Sequence, residues 1–411
     1  MIRQAKGMFQ GADGRNYAAV FALVASLFFL WGFAHSILDV LNKHFQDVLV
    51  ISKARSALVQ AMVYGGYFLM AIPAGRIIRR WGYRTGIVTG LLLYGIGALL
   101  FVPGGRLMSF PFFLLCLFII GCGLTCLETS ANPYVTVLGE KRSAAGRLNL
   151  AQALNGLGWV VGPMVGGMLI LGDDGGNISL PYAVIGCVVI ILGVVFSRLR
   201  LPSPDEPEER TDMASKAAPS LVVSVWRICS FRYGVGALLL YVAAQTGINS
   251  FFINYVLEAD TVLSPSTAAM MLSIGGMGLF MLGRLLGSFI LKAVAPARLM
   301  TLCSTGAALC MAFTILLNGT AGIISLCLTY LFESVMFPTI FSMALIDVSG
   351  YNTKTASSYL VMSIVGGAFA PVIMGWLGEN NMALGFLIPF FCFIFIMFYA
   401  LSYKRLRQRM Q

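Results

Sequence analysis

"GCGLTCLETSANPYVTVLG", residues 121–139, decides how the rest of the chain is read. From Leu107 to Leu138 the sequence is apolar or small and neutral, apart from one carboxylate, Glu128. About 20 such residues cross a bilayer core. A carboxylate at mid-depth costs about 2.5–3.5 kcal/mol on insertion scales. A segment fit for lipid that keeps an acid near its middle calls for a functional explanation.

The surrounding composition supports a membrane reading. Of 411 residues, 58% are hydrophobic and 11% charged, against roughly 25% charged in a soluble domain. Apolar runs predict helices over 17–41, 57–78, 84–103, 110–138, 148–171, 181–199, 231–257, 266–291, 297–317, 321–348, 355–377 and 382–403. The first run is too long for a signal peptide and no small-residue cleavage site follows it. The expectation is an all-α membrane protein with twelve transmembrane helices.

The net charge of +11 raises the question of nucleic acid, and its distribution answers it. All Lys and Arg residues except Lys43, Lys53, Arg55 and Arg106 fall at the two ends, in the central loop, or after helices 2, 4, 8 and 10. The positive-inside rule then places both termini in the cytoplasm. The basic excess sets topology, and no nucleic acid is expected as a partner. The nine cysteines lie mostly in apolar runs with no CxxC pair, and Cys122 and Cys126 are isolated from other ligands. They read as small buried hydrophobes, and no metal site is expected. There is no GxxxxGK[ST], HExxH or GxSxG, and two histidines leave little for His-based catalysis. Neither an enzyme nor an ATP-driven machine is expected. Asn177-Ile-Ser179 and Asn318-Gly-Thr320 match the glycosylation pattern, but such triplets are common by chance.

One segment differs in character. "SRLRLPSPDEPEERTDMASKAAPS" (197–220) is rich in Pro and charge without an apolar period, as a linker is. The chain divides into a tail over 1–16, a six-helix bundle over 17–199, a cytoplasmic linker over 200–230, a second bundle over 231–403 and a basic tail over 404–411. The halves echo one another. Glu128 precedes Pro133 by five residues, and Glu333 precedes Pro338 by five. "PAGRIIRRWGYRTG" has a fainter counterpart in "MLGRLLGSFILKAVAPARLM", and "GLGWVVGPMVGG" one in "SIVGGAFAPVIMG". Two pseudo-symmetric halves about a midplane site are a transporter architecture. Glycine pairs at 65–66, 275–276 and 366–367 suit close helix approach.

Three acids lie within spans: Asp39, Glu128 and Glu333. No Lys or Arg is expected at comparable depth to neutralise them. Each must hold a proton part of the time or face a wet cavity. Glu128 is therefore read as a proton-binding site. Polar neighbours support a cavity. Asn132 lies one turn after Glu128. Asn149, Gln152 and Asn155 form one stripe on helix 5, and Tyr241, Gln245 and Asn249 form another on helix 7. Interhelical glue is the alternative for any one amide. Amides and carboxylates, with aromatics such as Trp31 and Tyr359, also describe a sugar site, since amides serve hydroxyls and aromatic faces cover the apolar side of a ring. His35, four residues before Asp39, either touches it or is a neutral packed histidine.

"GCGLTCLETSANPYVTVLG", "RLNLAQALNGLG", "MAIPAGRIIRRWGYRTGIVTGLLLYGIGALLF" and "FPTIFSMAL" together resemble the fucose permease branch of the major facilitator superfamily, which also holds glucose/galactose permeases. The resemblance runs from about Phe28 to the last helix. It implies the major facilitator fold and a proton-coupled monosaccharide symporter working by alternating access. It places the functional carboxylates at Asp39 and Glu128, and binding amides at Gln152, Asn155 and Gln245. The branch tends to have Asn just before the helix 1 aspartate, where this chain has Leu38, and Asn or an apolar residue where Glu333 stands. Arg79 replaces the usual acidic residue of the loop after helix 2.

The resulting expectation is a bacterial inner-membrane symporter, a monomer without cofactors. The proton is its coupling ion, with Na⁺ as the alternative. Proton coupling is assigned to Glu128 and Asp39. Substrate binding is assigned to Asp39, Asn132, Gln152, Asn155, Gln245, Asn249 and Glu333. The loops after helices 2 and 8, with Arg76, Arg80, Arg84, Arg284 and Arg298, are expected to latch a gate. Two rivals are a proton-driven exporter of a small polar or amphipathic compound and a transport-dead sugar sensor.

Overall fold

The computed structural model describes residues 9, 16–138, 144–171, 179–199, 225–291, 293–317, 319–346, 348, 356 and 359–408. Most of the amino tail, residues 200–224 of the linker, Asn177, Asn318 and the side chains of Arg79 and Asn149 lie outside the described residues.

Among the described residues, eleven helices have the length and apolar character to cross a membrane. They are α1 (Ala18–Leu49), α2 (Lys53–Ile78), α3 (Arg80–Leu107), α4 (Phe110–Val137), α6 (Ser179–Arg198), α7 (Cys229–Ala259), α8 (Pro265–Gly287), α9 (Pro296–Leu316), α10 (Thr320–Leu345), α11 (Tyr359–Leu377) and α12 (Met382–Leu406). A further helix, α5 (Ala144–Leu169), is 26 residues long. At 1.5 Å per residue it also has the length to cross. The amides at 149, 152 and 155 make it more polar than its neighbours. Twelve helices bring both ends of the described chain to the same side, called here the terminal end. Large apolar side chains such as Leu69, Ile191, Phe369 and Trp376 are exposed on the outer faces, where lipid is the solvent.

The densest packing lies within each half. In the first, α4 lies along α2 and α3, α1 along α5, and α3 along α6; in the second, α9 and α7 lie along α12, and α7 along α11. Close approach needs small residues. A side chain at Gly158 would strike the backbone of Phe29, Gly32 and Phe33 in α1, and one at Gly366 would strike Leu239 and Ala243 in α7. These two glycines are 208 residues apart, as are Pro163 and Pro371. Asn42 meets Ser250, and Gln46 meets Asn254, across the same step of 208. Helices α1 and α7 therefore meet where residue i touches its counterpart, as they must beside a pseudo-twofold axis.

Prolines shape the interior. Pro338 clashes with the carbonyl four residues back, and α10 is broken at Ser334–Val335, leaving Glu333 at the end of its first segment. Just inside the start of α3 the chain turns at Gly82, whose φ of 81° suits only glycine.

The halves are joined from mid-depth to the end opposite the termini. The Lys53 ammonium lies 2.5 Å from Glu258 Oε1 and donates to the carbonyls of Gly378 (2.7 Å) and Glu379 (3.0 Å). Glu258 Oε2 accepts from the Met382 N–H at 2.7 Å, tying α7 to the start of α12. Gly375 lets α11 lie against the backbone of Lys53 and Ala54. Asn42 donates to the Ser250 carbonyl (2.7 Å), and Asn254 donates to Gln46 Oε1 (2.5 Å). Toward mid-depth, Ser273 donates to the Val160 carbonyl (2.5 Å).

The Lys53–Glu258 pair is partly in water, with side chains 13% and 37% exposed, so the pair itself contributes under about 1 kcal/mol. The two carbonyl bonds bring the whole to about 1–2 kcal/mol, or roughly 5- to 30-fold in the closed-to-open ratio. Lys53→Ala should therefore raise maleimide labelling of a Ser250→Cys reporter, at a position buried in the seam, by several-fold.

Candidate functional site

The polar residues of the first half gather on α1, α2 and α4. On α2 the spacing Gln60, Tyr64, Tyr67 puts three polar groups on one face. Gln60 donates to Asp39 Oδ1 at 2.9 Å, while Asp39 Oδ2 has no partner and the residue is 2% exposed. The Tyr67 hydroxyl accepts from Trp31 Nε1 (2.9 Å), lies 2.9 Å from His35 Nε2 and also reaches the Glu128 carboxylate. A phenol has one hydrogen and two lone pairs. With Trp31 donating and Glu128 accepting, His35 completes the set by donating from Nε2. His35 also stacks on Trp159, with centroids 5.8 Å apart. Its partner is therefore the Glu128 cluster and not Asp39, although Asp39 is one turn away on its own helix.

Glu128 is half-buried. It borders a cavity of about 10 Å³ with Leu27, Phe28, Trp31, Leu127 and Ala131, about the room one water needs. Among the described residues, the ion pairs are Lys43–Asp47 and Lys53–Glu258, so Asp39, Glu128 and Glu333 have no cationic mate within 4 Å. Tyr64 stands between the two acids of the first half, within electrostatic reach of both Asp39 and Glu128. It is also the bridge to the second half, because Thr246 Oγ1 donates to its hydroxyl at 3.2 Å. Gly367 of α11 leaves room for the Tyr64 ring.

The other expected residues divide. Gln152 Nε2 donates to Asn132 Oδ1 at 3.3 Å, joining α5 to α4 beside Glu128. Asn155 is 4% exposed and donates to the Phe28 carbonyl at 3.0 Å, so it stitches α5 to α1. Gln245 is half-buried, and Asn249 is buried with Oδ1 unpartnered. Glu333 is fully buried with both carboxyl oxygens unpartnered. Tyr359 packs on Trp226 (5.0 Å), near the terminal end and away from this centre.

The arginines do not act as one group. Arg76, Arg80 and Arg298 are exposed. Arg80 lies over its neighbour Trp81 (5.1 Å). Arg84 donates to the carbonyls of Phe196 and Ser197 at the end of α6, a tie within one half. Arg284 sits inside α8 and not in a loop, over Phe280 at 4.7 Å, with a buried Nε. The expectation that no Arg lies at depth fails for this residue.

The residues that sequence reasoning missed are Gln60, Tyr64, Tyr67 and Thr246, together with the Lys53–Glu258 tie. The i, i+4, i+7 spacing of Gln60, Tyr64 and Tyr67 was the available signal.

The Major Facilitator Superfamily profile matches residues 19–358. The chain belongs to that superfamily. It is 34% identical to the L-fucose-proton symporter of Escherichia coli, with 94% of each chain covered. It is 33% identical to the glucose/galactose transporter of Brucella abortus, again over 94% of each. The crystal structure of the transporter FucP in an outward conformation superposes with a TM-score of 0.68 at 33% identity, covering 95% of this chain and 99% of that one. The expected fold, two halves of membrane-spanning helices, is the one observed.

Tyr67→Phe would strip Trp31 Nε1 and His35 Nε2 of their shared partner, at about 1–3 kcal/mol for each buried group. Thermal unfolding in detergent should show a loss of about 2 kcal/mol or more. Tyr182→Phe, which removes a buried hydroxyl that already lacks a partner, should be neutral.

Proposed function

We propose that the protein is a proton-coupled monosaccharide symporter that works by alternating access. The observation that carries this reading is Glu128. It is an acid with no cationic mate, at a water-sized cavity, in hydrogen-bond reach of a tyrosine that also meets a histidine. The relatives named L-fucose-proton symporter and glucose/galactose transporter support the substrate class.

The relay follows from donor counting. With Glu128 ionised, Tyr67 donates to it and His35 holds its proton on Nε2. When a proton arrives, Glu128 donates to Tyr67, whose hydrogen then turns to His35 Nε2, and the imidazole carries its proton on Nδ1. A proton bound at Glu128 is thus reported to His35 and, through Tyr64 and Thr246, to the seam between the halves.

The sugar binds in this seam. Asp39 Oδ2 and Asn249 Oδ1, both unpartnered, accept from its hydroxyls. Gln245, Gln152 and Asn132 supply further polar contacts, and Trp31 offers a ring face. Asn155 acts through α1 by fixing the backbone at Phe28.

The basic terminal end lies in the cytoplasm of a bacterium, and the protein sits in the inner membrane. On that placement the Lys53 end faces outward, and its closure supports reading this arrangement as inward-facing. The exposed Arg76, Arg80 and Arg298 lie where the cytoplasmic gate closes. The protein works as a monomer without a cofactor in this reading, and the proton is the coupling ion.

In vesicles, adding the transported sugar should draw protons in with it and alkalinise the medium, and replacing Na⁺ by K⁺ should leave uptake unchanged. An exporter would shift the pH the other way. Glu128→Gln should retain sugar exchange and lose uphill accumulation by at least about tenfold, the worth of 1.4 kcal/mol of coupling. Undiminished accumulation in that variant would contradict the role given to Glu128.

A further inference from the structure

Glu333 is not used by the mechanism above, and its surroundings are unlike those of Asp39 and Glu128. Asp39 keeps one hydrogen bond and Glu128 has Tyr67. Glu333 is 0% exposed, and neither carboxyl oxygen has a partner. It ends the helical segment Thr320–Glu333, where the helix dipole is negative and disfavours an anion. Its own carbonyl accepts the Tyr241 hydroxyl at 3.0 Å, so that phenol is turned to the backbone and not to the carboxylate.

The charged and titratable groups around it are few. Tyr241 of α7 and Tyr330 of α10 lie within electrostatic reach of Glu333. Tyr241 is also within reach of Arg284 of α8, and Tyr330 within reach of Asp39 of α1. Helices α9, α11 and α12 carry no charged residue in their middle portions. Two buried groups here are therefore unpaired at once: the Glu333 carboxyl and the Arg284 Nε. A charge left buried without a mate is penalised far more than a buried neutral hydroxyl without a partner. A protonated carboxyl is the form this pocket accepts.

We infer that Glu333 is a second proton-binding site, in the half opposite Glu128, and that each sugar moves with two protons. The inference rests on the symport reading. In the state seen here Glu333 holds its proton. The break at Ser334–Val335 gives α10 a joint at that residue. When the halves rearrange about it, Arg284 pairs with Glu333 and the proton departs to water, carrying one positive charge out of the pocket and leaving a neutral ion pair. The position matches Glu128 in the other half, each five residues before a proline.

The test is the limiting sugar accumulation in proteoliposomes held at 100 mV with no pH gradient. One proton per sugar supports roughly 50-fold accumulation and two support roughly 2,500-fold, from about 2.3 kcal/mol per charge per 100 mV. The wild-type protein should approach the higher value and Glu333→Gln the lower. A wild-type limit near 50-fold overturns the inference, as does a Glu333→Gln limit equal to that of the wild type. A folded Glu333→Gln protein that no longer exchanges sugar at all would place the residue in the sugar path and overturn it too. Where Gln is not tolerated for folding, the wild-type limit decides alone. Failure of the wild-type protein to accumulate any hexose would instead remove the symport reading.

Discussion

A carboxyl group in hydrocarbon with no cation beside it is the constraint on which this structure turns. An ionised acid there costs several kcal/mol unless it is paired or wetted. The protein leaves Asp39, Glu128 and Glu333 without an ion-pair partner and gives each a different degree of shelter. Glu128 borders a small cavity and shares the Tyr67 hydroxyl. Asp39 keeps one amide bond. Glu333 keeps none. This gradation separates three acids that look alike in sequence, and it lets proton binding change the stability of one arrangement of the halves over another.

The frame around these acids is built for close contact that can be broken. Gly158 and Gly366 let helices of each half touch backbone to backbone. The seam between the halves is held instead by single polar bonds: Asn42 to Ser250, Gln46 to Asn254, Thr246 to Tyr64, and Lys53 to Glu258 and two carbonyls. Each contributes about 1 kcal/mol or a little more. A seam of this kind holds one state and gives way to another when proton and sugar alter the balance. A continuous apolar core between the halves would not.

Much of this was legible in the sequence. Apolar runs located the spans, α5 among them, although the amides at 149, 152 and 155 make it more polar than its neighbours. Asp39 and Glu128 stood out because a charge in lipid is expensive wherever it lies. What the sequence hid was pairing between helices. A tyrosine in an apolar run reads as core, so Tyr64 and Tyr67 passed unmarked, although Gln60, Tyr64 and Tyr67 share a helical face. His35 has Asp39 on its own helix and Tyr67 on the next, and only the packing of α1 on α2 decides between them. Lys53 was counted as a marker of topology and Arg84 as part of a gate latch, yet one ties the halves together and the other ties α3 to α6. Arg284 was grouped with the loop after helix 8, although the expected span over 266–291 already contained it, and the structure places it inside α8 with a buried Nε.

The central claim is that sugar and proton meet through Glu128, and linkage makes this measurable without a membrane. Purified protein in weakly buffered detergent solution, mixed with the transported sugar, should take up protons as the sugar binds. Glu128→Gln should bind sugar with that uptake reduced. Sugar binding with no change in pH, or with the same uptake in the variant, would contradict the account.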